Sequence, residues 1–146
     1  YKETSFDLSK ALLPQLKKNG NGSIINIASI YGVSGPVHSM YEGTDMGNPA
    51  AYSVSKGGLI QLTRWLATTI APEVRVNAIA PGFCQTSYTE SFKKNKQLYD
   101  FTLERIPMKK WGMPIDVSNT CLYLASNMSS YVTGEVISVD GGWSAW

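Results

Sequence analysis

Three short apolar runs, "GSIINIAS" (22–29), "VRVNAIAPG" (74–82) and "GEVISVDGG" (134–142), alternate with stretches whose apolar residues recur at helical spacing. Runs of this kind suit strands of a parallel sheet, the isoleucine-rich first one being expected to be buried on both faces. The first helical stretch, "SFDLSKALLPQLKKNG" (5–20), spaces Phe6, Leu8, Leu12, Leu13 and Leu16 helically and ends in a basic turn with Gly20 as its stop. Pro14 inside it is expected to kink the helix or shift a boundary. A second helix is predicted from about Ala51 to Ala71, ended by Pro72, and a third over "IDVSNTCLYLAS" (115–126), with Asp116 near its start. Strands separated by helices pair in parallel through right-handed crossovers, which covers both faces of the sheet. The fold class is therefore α/β. Residues 30–51, "IYGVSGPVHSMYEGTDMGNPAA", read as a loop, long enough to be functional or mobile. Residues 83–114 are polar, with weak helical character and a basic patch, and no internal repeat interrupts the pattern.

Bulk properties remove several function classes. A chain of 146 residues, 43% hydrophobic and 16% charged, is a globular domain's worth of sequence. A net charge of +2 gives no case for nucleic acid or an anionic membrane surface. No apolar run reaches the ~18 residues that a membrane span needs. Cys84 and Cys121 lack metal-ligand spacing, so no metal site is predicted, and free thiols in a reducing, cytoplasmic setting are expected. The chain begins at Tyr1, directly before a helix, and reads as a portion of a longer protein.

The chemistry centres on "NPAAYSVSKGGLIQLTRWLA" (48–67), where Tyr52 stands four residues before Lys56 and therefore on the same helical face. A phenol titrates near ~10 in water, and a neighbouring ammonium favours its phenolate. A core tyrosine beside a solvated lysine is the plain alternative, because Y-x-x-x-K alone is a weak signal. The surroundings decide. In an open parallel sheet ligands bind at the carboxyl ends of the strands, where the first strand ends at Ser29 and the second runs into Pro81-Gly82. A hydroxyl, an activated phenol and an ammonium at that rim suit carbonyl–alcohol interconversion, with a nicotinamide as hydride donor.

These pieces resemble the short-chain dehydrogenase/reductase family. "GSIINIAS", "AAYSVSKGGLIQLTRWLA", "VRVNAIAPGFCQT", "IPMKKWGMPIDVSNTCLYLAS" and "YVTGEVISVDGGW" follow the family's order and cover most of the chain. The resemblance implies a Rossmann-type doubly wound sheet, of which residues 1–146 supply the C-terminal part. It implies Ser29 as substrate-orienting, Tyr52 as general acid/base, and Lys56 as partner to the nicotinamide ribose and to Tyr52. Pro81, Gly82, Phe83 and Thr86 would lie beside an NAD or NADP whose type the sequence does not select. A homodimer or homotetramer is implied through the helices at 51–71 and 115–126. On those helices Leu62, Trp65 and Leu66 suit interface or core equally.

The departures carry as much weight. Nothing in the chain matches the family's T-G-x-x-x-G-x-G phosphate loop; "GNGS" (20–23) precedes a strand and reads as a turn. The N-A-G segment is also missing, and the fourth catalytic residue would align at or before Tyr1. The dinucleotide-binding half is thus expected upstream, and "SIINIAS" would have an open edge where the missing strands pair. The Ser29-to-Tyr52 interval is longer than usual and contains "MYEGTDMGNP" (40–49), which resembles members acting on bacterial surface glycans, flagellin-modification proteins included. A polar, sugar-like small-molecule substrate follows, with Tyr31, Glu42 and Thr44 as candidate contacts. His38 is a further candidate; Glu42, Thr44 and His38 each read equally as exposed loop residues with no chemical role, and His38 more as a surface residue than as a catalyst. "KKNK" (93–96) attracts a phosphate or forms a solvated lid face, Cys84 packs, and Trp143 and Trp146 pack at an interface or near the pocket. Two rival functions stand beside the oxidoreductase: a non-catalytic scaffold subunit of a hetero-oligomer, and a sugar-nucleotide epimerase or dehydratase.

Overall fold

The structure, a computed structural model, describes residues 2–18 and 20–146. Tyr1 and Asn19 lie outside the described residues, and with Tyr1 the expectation about the fourth catalytic residue. Helix α1 (Lys2–Lys18) runs through Pro14 without ending there. Gly20 stops it with φ +66°, its N–H donating to the Lys17 carbonyl at 3.0 Å. That left-handed cap is a conformation glycine adopts without a Cβ penalty.

Strands β1 (Gly22–Ile27), β2 (Val74–Pro81) and β3 (Val136–Val139) form one parallel sheet in the order β1-β2-β3. The register sets Ile27 against Ile79 and Pro81 against Val139. Helix α1 and the long helix α3 (Ala50–Ile70) cover one face. There Leu13 and Leu16 meet Leu66, Ala67 and Ile70 over Val74 and Val76. Helix α6 (Pro114–Ala125) packs on all three strands and buries Leu124. Asn77, fully buried in β2, donates to the Val132 carbonyl and accepts from the Glu135 N–H, which fixes the entry into β3. No helix among the described residues is long and apolar enough to cross a membrane.

Two expectations need correction. Only β2 is buried along its length, from Val74 to Ala80; in β1, Ile24 and Ile25 are half-buried and Ile27 is 45% exposed. The reason is positional: among the described residues β1 pairs on one side only, so its outer side has nothing to exclude water. The 30–51 segment is also not all loop. It contains α2 (Ile30–Val33), a 3-10 turn at His38–Tyr41 and the start of α3. A one-turn helix is too short to show periodicity, so its cap rather than its pattern signals it.

Residues 83–114 fold into α4 (Glu90–Lys94) and α5 (Lys96–Arg105), which fold back over the strand ends. They complete a second core in which Ile30, Leu98, Ile106, Trp111 and Trp143 are buried. Phe83 is its hub, with its ring centroid 4.9 Å from Trp143, 5.4 Å from Trp111 and 5.5 Å from Phe92. Trp143 is therefore a core residue, whereas Trp146 is exposed. Leu66 is core too, while Trp65 is 51% exposed, its ring centroid 6.1 Å from that of Phe6 on α1.

Candidate active site

The sheet's carboxyl rim brings the predicted residues together in a definite way. Ser29 follows β1 and caps α2: its Oγ accepts the Tyr31 N–H at 3.2 Å, and the residue is 6% exposed. A hydroxyl that accepts from the backbone keeps its own proton free to donate, so Ser29 is oriented as a hydrogen-bond donor. Helix α2 then lies on α3 at Gly32, where an added Cβ would stand 2.7 Å from the Lys56 carbonyl carbon. This contact, which sequence reasoning missed, sets the distance between the serine's helix and the Tyr52–Lys56 turn.

Tyr52 lies in the first turn of α3, its N–H bonded to the Pro49 carbonyl at 2.9 Å and the residue 42% exposed. One turn on, the Lys56 Nζ stands 5.8 Å from the Tyr52 ring centroid and donates to the Ile27 carbonyl at 2.8 Å. Partial burial draws the Lys56 ammonium below the ordinary lysine range. From the second strand, Pro81, Gly82 and Phe83 cross the rim. Gly82 is held there by its N–H to the Val139 carbonyl at 3.0 Å and by close packing on Asp140.

Ser29, Tyr52, Pro81, Gly82 and Phe83 line one cavity of about 550 Å³. Lys56 lines a different groove of about 440 Å³, between α1, the open side of β1 and α3. Thr86 lines neither; its hydroxyl lies 3.2 Å from that of Thr89, whose Oγ1 donates to the Cys84 carbonyl at 2.6 Å. Of the candidate substrate contacts, Tyr31 lines the cavity, its hydroxyl 3.4 Å from that of Tyr41. Burial first, and the Tyr41 bond second, push the Tyr31 phenol far above the usual tyrosine range, so it remains a neutral hydroxyl.

Glu42, Thr44 and His38 lie outside the lining. Thr44 is taken up by its own turn, its Oγ1 donating to the Tyr41 carbonyl at 2.8 Å and accepting the Met46 N–H at 3.2 Å. The same loop instead presents Tyr41, Asp45 and Asn48, which sit in irregular turns where no sequence period marks them. Two of the three "KKNK" charges are tied locally: Lys93 donates to Gln85 Oε1 at 2.8 Å, and Lys96 pairs with Asp100.

Cys84 also lines the cavity, and burial, with Asp116 second, raises its thiol above the ordinary range. Its alkylation by iodoacetamide is therefore expected to be slow at neutral pH, to accelerate only at a higher pH than an ordinary thiol requires, and to slow again when the cavity is occupied. Peptide mapping by mass spectrometry, with Cys121 as internal reference, checks this; fast modification at neutral pH contradicts it.

No group of His, Cys, Asp and Glu among the described residues has the arrangement of a metal site. Of the residues expected beside a nicotinamide, Tyr52 and the Pro81–Phe83 backbone line the cavity, Lys56 lines the second groove, and Thr86 lines neither.

Comparison with known proteins converges on one family. The family model described as enoyl-(acyl carrier protein) reductase matches residues 3–144. The chain is 38% identical over 140 residues to the 3-oxoacyl-[acyl-carrier-protein] reductase of Thermotoga maritima, covering 94% of this chain and 51% of that one. It superposes on a gluconate 5-dehydrogenase of Burkholderia cenocepacia, solved with NADP and tartrate, at a TM-score of 0.82 and 26% identity, over 97% of this chain and 52% of that one. A 4-hydroxyisoleucine dehydrogenase complexed with NADH gives a TM-score of 0.82 and 33% identity, over 97% and 55%. The chain spans about half the length of the curated relatives it matches. With three parallel strands, crossover helices on both faces and a Ser–Tyr–Lys rim already in place, this chain belongs to the short-chain dehydrogenase/reductase family.

Proposed function

We propose that this chain is the C-terminal part of a nicotinamide-dependent oxidoreductase that interconverts a carbonyl and an alcohol on a small, polar, sugar-like molecule. The observation that carries the reading is that Ser29 and Tyr52 line one cavity while Lys56, one turn on, sets its ammonium 5.8 Å from the Tyr52 ring. NAD or NADP would be held by Tyr52, Lys56, the Pro81–Phe83 backbone and Thr86, and would supply the hydride that no side chain can. In the reductive direction the Ser29 hydroxyl donates to the substrate's carbonyl oxygen. As that carbon receives two electrons with the hydride, Tyr52 gives its phenolic proton to the same oxygen. The phenolate left behind stands beside the Lys56 ammonium, 5.8 Å from the ring centroid. Oxidation of the alcohol reverses each step.

The open side of β1 and the half-length alignment support a preceding dinucleotide-binding segment in the same domain. A cytoplasmic enzyme assembling as a homodimer or homotetramer fits this reading. An intact mass of the natural polypeptide near 27 kDa, a domain of roughly 250 residues, is expected; a mass of 16.0 kDa overturns the domain assignment. The activity is tested on that polypeptide with NADH and NADPH and a panel of sugar-derived ketones. Net loss of reduced cofactor, one per carbonyl reduced, is expected. An epimerase would leave the cofactor pool unchanged, and a scaffold would not turn over at all.

A further inference from the structure

The cavity beside Tyr52 has a charge character that the proposed reaction does not require. Besides Ser29, Tyr52 and Cys84, its polar lining includes the hydroxyls of Tyr31, Tyr41, Tyr88, Thr89 and Ser91, the Asn48 amide and the Asp45 carboxylate. Among the described residues no Lys, Arg or His lines it. The cations nearby are engaged elsewhere: Lys56 on the Ile27 carbonyl, Lys93 on Gln85, and Arg105 stacked 4.5 Å over the Trp143 ring. Asp45 is exposed and Asn48 half-buried, and the Asn48 Oδ1 already accepts from the Ser53 hydroxyl at 3.0 Å. The Asn48 amide N–H groups thus remain available as donors.

A ligand carboxylate or phosphate entering this space would lose water and meet neutral hydroxyls and one like charge, with no cationic side chain among the described lining residues to pair with it. A chain of neutral hydroxyl groups would instead exchange water for the Tyr31, Tyr41, Ser91 and Asn48 partners. We propose that the cavity selects an uncharged polyhydroxylated substrate and rejects the carboxylate analogue of the same carbon skeleton, with Asp45 as a specificity-determining residue. This rests on the cavity being the substrate site of the proposed oxidoreductase. It differs from the relative solved with the tartrate dianion in its complex, whose binding is that protein's own.

The test is a binding measurement, independent of hydride transfer. D-Sorbitol and D-gluconate share a six-carbon polyol skeleton and differ in one terminal group, hydroxymethyl against carboxylate. Their dissociation constants for the full polypeptide, saturated with reduced nicotinamide so that neither polyol can be oxidised, and read by ligand-observed NMR, are expected to differ by about tenfold in favour of sorbitol. Because Asp45 is at the exposed rim, raising the salt concentration should shrink that ratio. Asp45→Asn should shrink it as well. Equal affinities, tighter gluconate, no binding of either polyol, or a ratio indifferent to Asp45→Asn each overturns the proposal. Binding of sorbitol without any net cofactor reduction when oxidised nicotinamide is supplied instead would leave the selectivity standing and count against the oxidoreductase reading alone.

Discussion

Tyr52→Phe, made in the full polypeptide, is expected to lower kcat by a factor of about 10²–10⁴, the usual contribution of a positioned general acid/base. The change removes one oxygen from a residue that is 42% exposed, so folding should be nearly unaffected. The phenyl ring remains beside the Lys56 ammonium, and the Lys56 bond to the Ile27 carbonyl does not involve the hydroxyl. Nicotinamide affinity is therefore expected to stay close to that of the parent. The loss should fall on kcat and on kcat/KM together, because the proton moves only in the transition state. Steady-state kinetics with a fluorescence titration of the cofactor decide it. Turnover within a few-fold of the parent would remove Tyr52 from the proton transfer, and a matching loss of cofactor affinity would assign its hydroxyl to holding the cofactor instead of moving the proton.

The legibility of the site in the sequence follows the range over which each feature is specified. Strand β2 was readable because Val74, Val76, Ala78, Ile79 and Ala80 mark an apolar run, although the burial of Arg75 and Asn77 within it rests on partners in the 129–135 segment. Tyr52 and Lys56 were readable because one helical turn fixes their common face. By contrast, the burial of β1 depends on a neighbour outside this chain's sheet, and its isoleucines do not say whether that neighbour is present. The cavity wall failed for a different reason. Glu42 and Thr44 were favoured as polar residues in a long loop, but a threonine two residues before a free N–H closes its own turn first. Tyr41, Asp45 and Asn48 face the cavity because of turns that no period encodes. The Phe83–Phe92–Trp111–Trp143 cluster unites residues far apart in the chain, and single-sequence spacing has no access to such contacts.

Gly32→Ala is expected to damage stability and turnover together, although Gly32 carries no reactive group. Its Cβ would meet the Lys56 carbonyl carbon at 2.7 Å, the Lys56 oxygen at 2.8 Å and the Gly57 nitrogen at 2.9 Å. All three are backbone atoms inside α3, so no side chain can swing aside. Overpacking of this kind costs about 1–3 kcal/mol, read as a lower midpoint in chemical denaturation. Relief has to come from moving α2, a four-residue helix whose cap is Ser29 itself. A displacement of about 1 Å between reacting groups costs on the order of 10² in rate, so kcat should fall by that factor. The neighbouring glycine supplies the control. A Cβ on Gly57 meets only the Gly32 oxygen, at 3.7 Å, which is an ordinary contact. Gly57 lies inside α3, where Ala is favoured over Gly by about 1 kcal/mol, so Gly57→Ala should hold or raise the denaturation midpoint. If Gly32→Ala instead matches Gly57→Ala in both readouts, the α2–α3 contact does not set the Ser29–Tyr52 geometry, and the spacing must be held by the loop between them.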